Sequence, residues 1–285
     1  YGETYRAGIK INVVVLVYNR LDREKEGFGY VPKNINRFLE FLKKAVERYD
    51  GDGIDDAPGS PVIDVWEIEN EPDLAFSPGA PGWKDTPKNY AQLLKKSYQV
   101  IKKINPNAKV AFAGLADPQG IKNYFIPVLN EIERIKDSPN DKYFEIAGFH
   151  WSGMIMGDYQ KEIFPAKTYY LDSSIKTMKE EAEKRGYKNI PIWIGEMSYN
   201  DGKPTDITFL KQSRSEREQA IELVKRYVYS IVKGADKIFW VTLTEWNNWK
   251  GKGYFDHVGL INNPKNDGQS HKKLAYYTYK KMVEV

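Results

Sequence analysis

The sequence predicts an α/β fold in which parallel strands alternate with amphipathic helices. Six short runs of β-branched and aromatic residues are each followed by a segment with apolar residues at helical spacing. Gly, Pro and Asn separate these segments, and no low-complexity linker interrupts them. Such an alternation fits either a closed (β/α)8 barrel or a doubly wound sheet. We expect one domain over residues 1–285.

The six predicted strands are short runs of mainly apolar residues. They cover residues 9–18, 61–68, 109–114, 144–150, 190–195 and 237–243. The first, IKINVVVLVY, is apolar at nearly every position, as in a strand with both faces covered. The second is followed by Asn70, Glu71 and Pro72, and proline has no N–H to donate within a central strand. Glu71 is therefore predicted where a strand ends and a loop begins.

The predicted helices carry apolar residues three and four positions apart, with charged residues between them. Their expected limits are 35–49, 87–104, 121–135, about 172–185, 215–233 and from about 271 onwards. Thr86 is the expected N-cap of the second, with Pro87 at the first helical position. Ser215 and Glu218 form a capping box at the start of the fifth.

Composition narrows the class of function. The net charge of +4 arises from 43 basic and 39 acidic residues without a basic run, so nucleic acid is not an expected partner. No run approaches the roughly 18 apolar residues of a membrane span, so a membrane is not expected either. The absence of cysteine excludes disulfides and thiolate catalysis. Three histidines without an HExxH pair argue against a metal-dependent hydrolase, and no metal or cofactor is expected.

Aromatic residues make up 14% of the chain, with 20 Tyr and 7 Trp. Carbohydrate sites use such side chains, because a sugar ring lies flat on an aromatic face while a Tyr hydroxyl or Trp N–H forms a hydrogen bond. Ordinary core packing is the alternative, and composition alone does not decide between the two.

Glu71 and Glu196 follow two predicted strands that are three βα units apart. In a closed barrel this separation is expected to place both carboxyl groups on the rim of the same mouth, where barrel enzymes have their active sites. Glycoside hydrolysis needs such a pair, one carboxyl to protonate the leaving oxygen and one to attack the anomeric carbon.

The segments WEIENEP (66–72) and WIGEMS (193–198) resemble the two catalytic strands of the clan A glycoside hydrolases. This resemblance covers nearly the whole chain and implies a TIM barrel and a retaining mechanism. It implies that Glu71 is the acid/base at the end of strand four and Glu196 the nucleophile at the end of strand seven. Asn70 matches the clan's asparagine that binds the sugar 2-hydroxyl.

Two further segments resemble the clan's strands six and eight. GFHW (148–151) corresponds to strand six, which implies that His150 lines the cleft. FWVTLTEW (239–246) corresponds to strand eight, which implies a tryptophan floor from Trp240 or Trp246. Three more tryptophans are candidates for outer subsites, although each is equally suited to packing its own loop: Trp83, Trp151 and Trp249.

Within the clan the sequence is most similar to families 5 and 39, and the motifs do not choose between them. The implied partner is an oligo- or polysaccharide with β-linkages. A non-catalytic carbohydrate-binding relative, or an inactive barrel fragment, is the alternative.

The match to the clan has gaps. If Glu71 ends strand four, residues 9–18 are strand three, and strands one and two have no counterpart, so we expect an amino-terminally incomplete barrel in which residues 1–8 end a helix. The clan's arginine from strand two then has no counterpart. Ser152 stands where many relatives have tyrosine, and Tyr159 or Tyr199 are possible substitutes.

The loop from Asp50 to Asp56 superficially resembles a calcium loop. Ile54 occupies the third ligand position, however, and no glutamate stands at the twelfth. We therefore expect a solvated turn.

Overall fold

The computed structural model describes residues 1–17, 22, 31–76, 83, 85–116, 118–151, 171–202, 214–248, 250–268 and 270–284. The chain divides into two compact units. Unit 1 consists of Tyr1–Phe149 and Ser174–Trp193, and unit 2 of His150–Ser173 and Ile194–Val285. The single domain expected over residues 1–285 stays a prediction.

The strands of the described residues form two three-stranded sheets, in the orders β1-β2-β3 and β4-β5-β6. Their bounds are β1 Asn12–Val15, β2 Val65–Ile68, β3 Lys109–Phe112, β4 Ala147–Trp151, β5 Ile192–Met197 and β6 Lys237–Trp240. All six lie within predicted strands or extend them by one or two residues.

The first sheet is parallel. Asn12 of β1 lies opposite Val65 of β2, and Ile68 of β2 lies opposite Phe112 of β3. A further parallel bridge joins Ala111 to Ile146, just before β4. The predicted α/β class with parallel strands is confirmed, while the numbering of β1 as barrel strand three stays a prediction.

The strand predicted over residues 9–18 is shorter in the structure because side chains replace backbone partners at both ends. The Ile11 N–H donates to the carboxylate of Asp64, and the Val17 N–H donates to the carboxylate of Glu69. The regular ladder is therefore limited to β1.

The strand predicted over residues 237–243 also ends early. The carbonyl groups of Thr242 and Leu243 accept hydrogen bonds from Leu260, a later loop residue. β5, in contrast, continues to Met197, so Glu196 lies inside the strand and not just beyond it as expected.

The helices of the described residues agree with the predicted helical segments and add one short helix over Pro264–Asp267. Their bounds are α1 Gly2–Arg6, α2 Ile35–Arg48, α3 Pro87–Ile104, α4 Ile126–Ile135, α5 Leu171–Glu183, α6 Glu216–Val232, α7 Pro264–Asp267 and α8 Leu274–Val283. The Thr86 side chain caps α3 by accepting from the Asn89 N–H, and Ser215 and Glu218 form the predicted capping box of α6.

The first helix agrees with the prediction, and the last helix begins later than predicted. The predicted helical tail over residues 1–8 is present as α1, and Gly8 follows it with φ +73°. The last helix begins at Leu274 and not near His271, because His271 and Lys273 form backbone hydrogen bonds to Asn262 and Leu260 in an extended segment.

Unit 1 has an aromatic core between its sheet and its helices. Phe112 of β3 makes edge-to-face contacts with Tyr90 of α3, with Phe125 before α4 and with Phe144 before β4. All four side chains are buried. Such contacts add about 0.5 to 1.5 kcal/mol each beyond burial, and they fix the sheet on which Glu71 is carried.

Unit 2 is built around α6, which packs along α8. Leu223 and Tyr227 are buried on the inner face of α6, together with the charged Arg226. Burying a charged residue in a core costs free energy unless the charge is paired, so Arg226 needs partners within unit 2. Within the described residues, no helix has the length and apolar character of a membrane span.

Candidate active site

The end of β2 is a strained turn. Glu69 and Glu71 both have positive φ, +70° and +46°, a region that residues with a Cβ rarely occupy. The Glu71 N–H donates to the carbonyl of Gly114 at 2.9 Å, and Pro72 starts a 3-10 turn that runs to Phe76. Strain of this kind persists only where the surroundings fix it, and it is common at functional sites.

Two buried carboxyl groups support this turn. The Glu67 carboxylate accepts from the Gly114 N–H at 2.8 Å and from the Asn12 side chain at 3.0 Å. Glu69, only 2% exposed, accepts from the Val17 N–H at 2.5 Å. Burial raises the pKa of Glu69 to about 7, although backbone N–H groups lower it in part.

A buried tyrosine hydroxyl closes the same region. The Tyr90 hydroxyl donates to the carbonyl of Ile68 and accepts from the Ala113 N–H, each at 2.9 Å. It therefore joins the last residue of β2 to the residue that follows β3. Burial raises the Tyr90 pKa well above its usual value, so the hydroxyl stays protonated.

Glu196 lies in β5 of unit 2, with its side chain 33% exposed. Its Oε2 atom is 3.7 Å from Nδ1 of His150, a β4 residue that is almost completely buried. The residue before Glu196 is Gly195, and a Cβ there would come within 3.1 Å of the His150 ring. Glycine at this position thus leaves room for the imidazole next to β5.

Two guanidinium groups flank the loop after β5. Arg214 lies 4.2 Å from the ring centroid of Tyr199, and Arg226 lies 4.6 Å from the same centroid. Arg226 also donates to the carbonyl of Ser198 and to the carboxylate of Glu222. Burial lowers the Arg226 pKa to about 10, which still leaves it a cation at neutral pH.

A second buried cation ties two loops of unit 2 together. The Lys273 ammonium, 1% exposed, lies 2.6 Å from Glu245 after β6 and 2.9 Å from Asp201 after β5. The ammonium also donates to the backbone carbonyl of His257 at 3.4 Å. The carboxylates of Asp201 and Glu245 are therefore accounted for by an internal ion pair with Lys273.

The tryptophans expected to contact sugar differ in exposure. Trp246 is 39% exposed and stacks on Phe255, with ring centroids 4.7 Å apart. Trp240 is half-buried, and its N–H donates to the carbonyl of Val258.

The other predicted subsite residues are more enclosed or outside the description. Trp83 is completely buried against Tyr90, so it offers no face on which a sugar could stack. Trp151 is buried and stacked on Tyr229. Asn70 is half-buried beside Glu71. The predictions for Ser152, Tyr159 and Trp249 fall outside the described residues.

The acidic loop before β2 uses its carboxylates locally. Asp50 accepts from the Asp52 N–H, Asp52 accepts from the Ile54 N–H, and Asp56 accepts from Gly51 and Gly53. These bonds form the turn that the sequence predicts.

Sequence reasoning missed three residues of these regions: Glu69, Arg226 and Lys273. A signal existed for two of them. Glu69 is a second acid in the apolar run around β2, and Arg226 stands four residues after Glu222 on the apolar face of α6. The pairing of Lys273 with Asp201 and Glu245 joins distant segments and leaves no local pattern.

No protein-family profile and no curated protein matches the chain. Its fold, however, is similar to that of solved glycosidases. For a monomeric β-xylosidase from Caulobacter crescentus the TM-score is 0.64 at 14% identity, covering 99% of this chain and 55% of the other. A family 39 glycoside hydrolase from Bacteroides cellulosilyticus gives a TM-score of 0.61 at 19% identity, covering 95% of this chain and 49% of the other.

A glucosidase from Croceicoccus marinus gives a TM-score of 0.60 at 15% identity, covering 84% of this chain and 44% of the other. The chain thus spans about half the length of these enzymes. At such identities the likeness shows a shared fold, that of TIM-barrel glycosidases.

Proposed function

We propose that the chain is a retaining glycoside hydrolase that cleaves β-linked glycans or glycosides, with Glu71 as acid/base and Glu196 as nucleophile. The observation that carries the proposal is the position of the two glutamates. Glu71 follows the carboxyl end of β2 in a parallel sheet, and Glu196 is the penultimate residue of β5, in a fold shared with solved glycosidases. Enzymes of this fold class carry their catalytic groups at that end.

The proposed reaction has two displacements. In the first, the Glu196 carboxylate attacks the anomeric carbon while the Glu71 carboxyl gives its proton to the departing oxygen. The glycosidic C–O bond breaks and an ester to Glu196 forms. In the second, the Glu71 carboxylate takes a proton from water, whose oxygen attacks the anomeric carbon and releases Glu196. The sugar leaves with its original anomeric configuration.

The surroundings of Glu196 support its role as a nucleophile. A nucleophilic carboxyl must be ionised before it attacks, and nearby donors and cations favour the ionised form. The His150 ring lies 3.7 Å from the carboxylate, and the buried Arg226 cation holds the carbonyl of Ser198, two residues further on.

The surroundings of Glu71 support a different role. Its turn is bordered by two other carboxyl groups, Glu67 and Glu69, and both are buried. The strained turn at Glu69 and Glu71 fixes the backbone of Glu71, and an acid catalyst needs such fixed placement. We assign Asn70, the adjacent residue, to the sugar 2-hydroxyl.

For the sugar platform we favour Trp246, because its ring has exposed surface and rests on Phe255. A sugar ring stacks on such a face through its C–H groups. Trp240 and His150 complete the proposed sugar contacts, and we do not assign such a contact to Trp83. The solved neighbours include a β-xylosidase and a glucosidase, so xylosides and glucosides are the first substrates to test.

The first experiment is active-site labelling. A panel of 2-deoxy-2-fluoro aryl glycosides, beginning with the β-xyloside and β-glucoside, should inactivate the protein with time and leave one sugar ester on Glu196. Peptide mass spectrometry locates the label. Labelling of another residue would overturn the role assignment, and saturable sugar binding without any label or turnover would favour the non-catalytic relative.

The second experiment separates the two roles by azide rescue. Replacing either glutamate by alanine should lower kcat with a poor leaving group by about 1,000-fold, since acid–base catalysis alone is worth about 10² to 10⁴. With an activated leaving group, azide should rescue Glu196→Ala to an inverted glycosyl azide and Glu71→Ala to a retained one. Product configuration by NMR gives the answer, and exchanged outcomes would exchange the roles.

A further inference from the structure

Glu69 is a buried carboxyl that the proposed reaction does not use. It stands two residues before Glu71, in a backbone conformation with φ +70°. Its own N–H continues the sheet by donating to the carbonyl of Val15 at 2.9 Å. A carboxyl is costly to bury, so its retention at 2% exposure requires compensating contacts.

Those contacts form a clamp. The Glu69 carboxyl accepts from the N–H of Val17, beyond the end of β1, at 2.5 Å. It also accepts a hydrogen bond from the N–H of Asn70, within the turn that carries Glu71. One side chain therefore joins the neighbouring strand to the turn. On the other side, the Glu71 N–H is held by Gly114, whose own N–H is held by Glu67.

We propose that Glu69 is a positioning residue, whose buried carboxyl ties the end of β1 to the Asn70–Glu71 turn and so fixes the direction of the Glu71 side chain. This inference rests on the proposed function of Glu71. A turn with two residues at positive φ has alternatives of lower strain, and the clamp selects against them. A small error in the placement of an acid catalyst lowers the reaction rate strongly.

The Glu69 carboxyl that forms the clamp also changes its protonation state with pH. Burial raises the Glu69 pKa to about 7, so the carboxyl changes charge near neutral pH. The other titratable groups facing it are Glu67 on β2, Tyr90 on α3 and Tyr124 before α4. Both tyrosines have pKa values raised by burial and stay neutral in this range. The change in charge at the clamp is therefore centred on Glu69, with Glu67 as the acidic neighbour.

The test that needs no substrate is an NMR titration of the backbone amides. The N–H resonances of Val17, Asn70 and Glu71 should shift together with a midpoint near pH 7, and Glu69→Gln should abolish that transition. Glu145→Gln is the matched control, because Glu145 also accepts a strand N–H, from Val110 at 2.8 Å, but does not contact the turn. It should leave the three resonances unchanged.

The second readout separates positioning from a structural role. Glu69→Gln should lower kcat about tenfold for an aryl glycoside with a poor leaving group and less than twofold for the dinitrophenyl glycoside, with KM unchanged. The reason is that only the poor leaving group needs the proton from Glu71. A structural defect would lower both rates equally and would overturn the proposal.

The experiments also distinguish failure of the clamp from failure of the proposed function. If Glu69→Gln does not fold, titration of the Glu69 carboxyl carbon and of the three amides in the unsubstituted protein supplies the first answer. Amides that do not respond near pH 7 would overturn the clamp. A responding clamp in a protein that cleaves no glycoside would overturn the proposed function, and the clamp would then be only structural.

Discussion

The ends of β2 and β5 use opposite chemistry to hold a glutamate. Around Glu71, the fixed groups are buried acids and backbone dipoles, and the backbone itself is strained. Around Glu196, the backbone is regular strand, and the fixed groups are an imidazole and, through the following loop, the guanidinium of Arg226. Carboxyl groups organise the first region, and an imidazole and a guanidinium organise the second.

This difference shows how one residue type can be suited to two tasks. Glu71 is held through its backbone in a strained turn, whereas Glu196 lies in a regular strand beside an imidazole. The supports also differ mechanically, because Glu67 and Glu69 hold backbone N–H groups whereas Arg226 stacks on a ring and pairs with Glu222. Each support can be removed separately, which makes the comparison testable.

The largest effect on stability is expected from the cationic region. Arg226→Met removes a buried charge from its pair with Glu222, its stacking on Tyr199 and its hydrogen bond to Ser198. Breaking a buried pair in this way should lower the free energy of unfolding by about 4 kcal/mol. Urea denaturation measures the loss.

Lys225→Met is the matched control, because Lys225 pairs with the same Glu222 at 3.2 Å but its side chain is 55% exposed. Exposed pairs contribute little, so a change of at most about 1 kcal/mol is expected. Equal losses in the two variants would mean that Arg226 has no special place in unit 2, and the contrast with the β2 region would fail.

The acidic region should respond to pH. The Glu69 pKa is raised from 4.5 to about 7, so the folded protein keeps a proton that the unfolded chain releases. The stabilising contribution of the neutral carboxyl is complete below pH 4.5 and is lost as the pH rises to about 7. The loss corresponds to roughly 3 kcal/mol.

Glu69→Gln, which stays neutral, should remove this part of the pH dependence. Urea denaturation of both proteins between pH 4.5 and 8 gives the comparison. The gap between the two curves should grow towards pH 7 and then stay constant. Parallel curves would show that burial does not hold the proton on Glu69.

Much of this organisation could be predicted from sequence because it is local. Hydrophobic spacing fixes which face of α3 is buried, and the Thr86 and Ser215 caps depend on residues three positions away. The position of Glu71 after β2 follows from an apolar run that stops, whereas Glu196 lies inside β5 and not beyond it as predicted.

The remainder depends on contacts between distant segments. The regular pairing of β1 stops before Val17 because the Val17 N–H donates to the side chain of Glu69. No sequence pattern around residue 17 predicts this hydrogen bond. The pair between Lys273 and Asp201 spans a similar distance in sequence. Exposure also depends on distant contacts. Trp83 and Trp246 both look like loop tryptophans in the sequence, yet Trp83 is buried and Trp246 is exposed.

The smallest effects come from the two tyrosine hydroxyls that support the regions. Tyr90→Phe leaves the Ala113 N–H and the Ile68 carbonyl without their shared partner in a buried place, at a cost of about 2 kcal/mol. Tyr254→Phe removes one hydrogen bond, 3.2 Å long, to the Ser198 hydroxyl, which can rotate to another acceptor. Its cost should be about 1 kcal/mol or less. Thermal or urea unfolding of both variants measures the difference. The backbone groups that Tyr90 holds cannot rotate away from a lost partner, so Tyr90→Phe should cost more stability than Tyr254→Phe. A larger loss of stability for Tyr254→Phe would contradict the view that the β2 end is held through its backbone and the β5 end through its side chains.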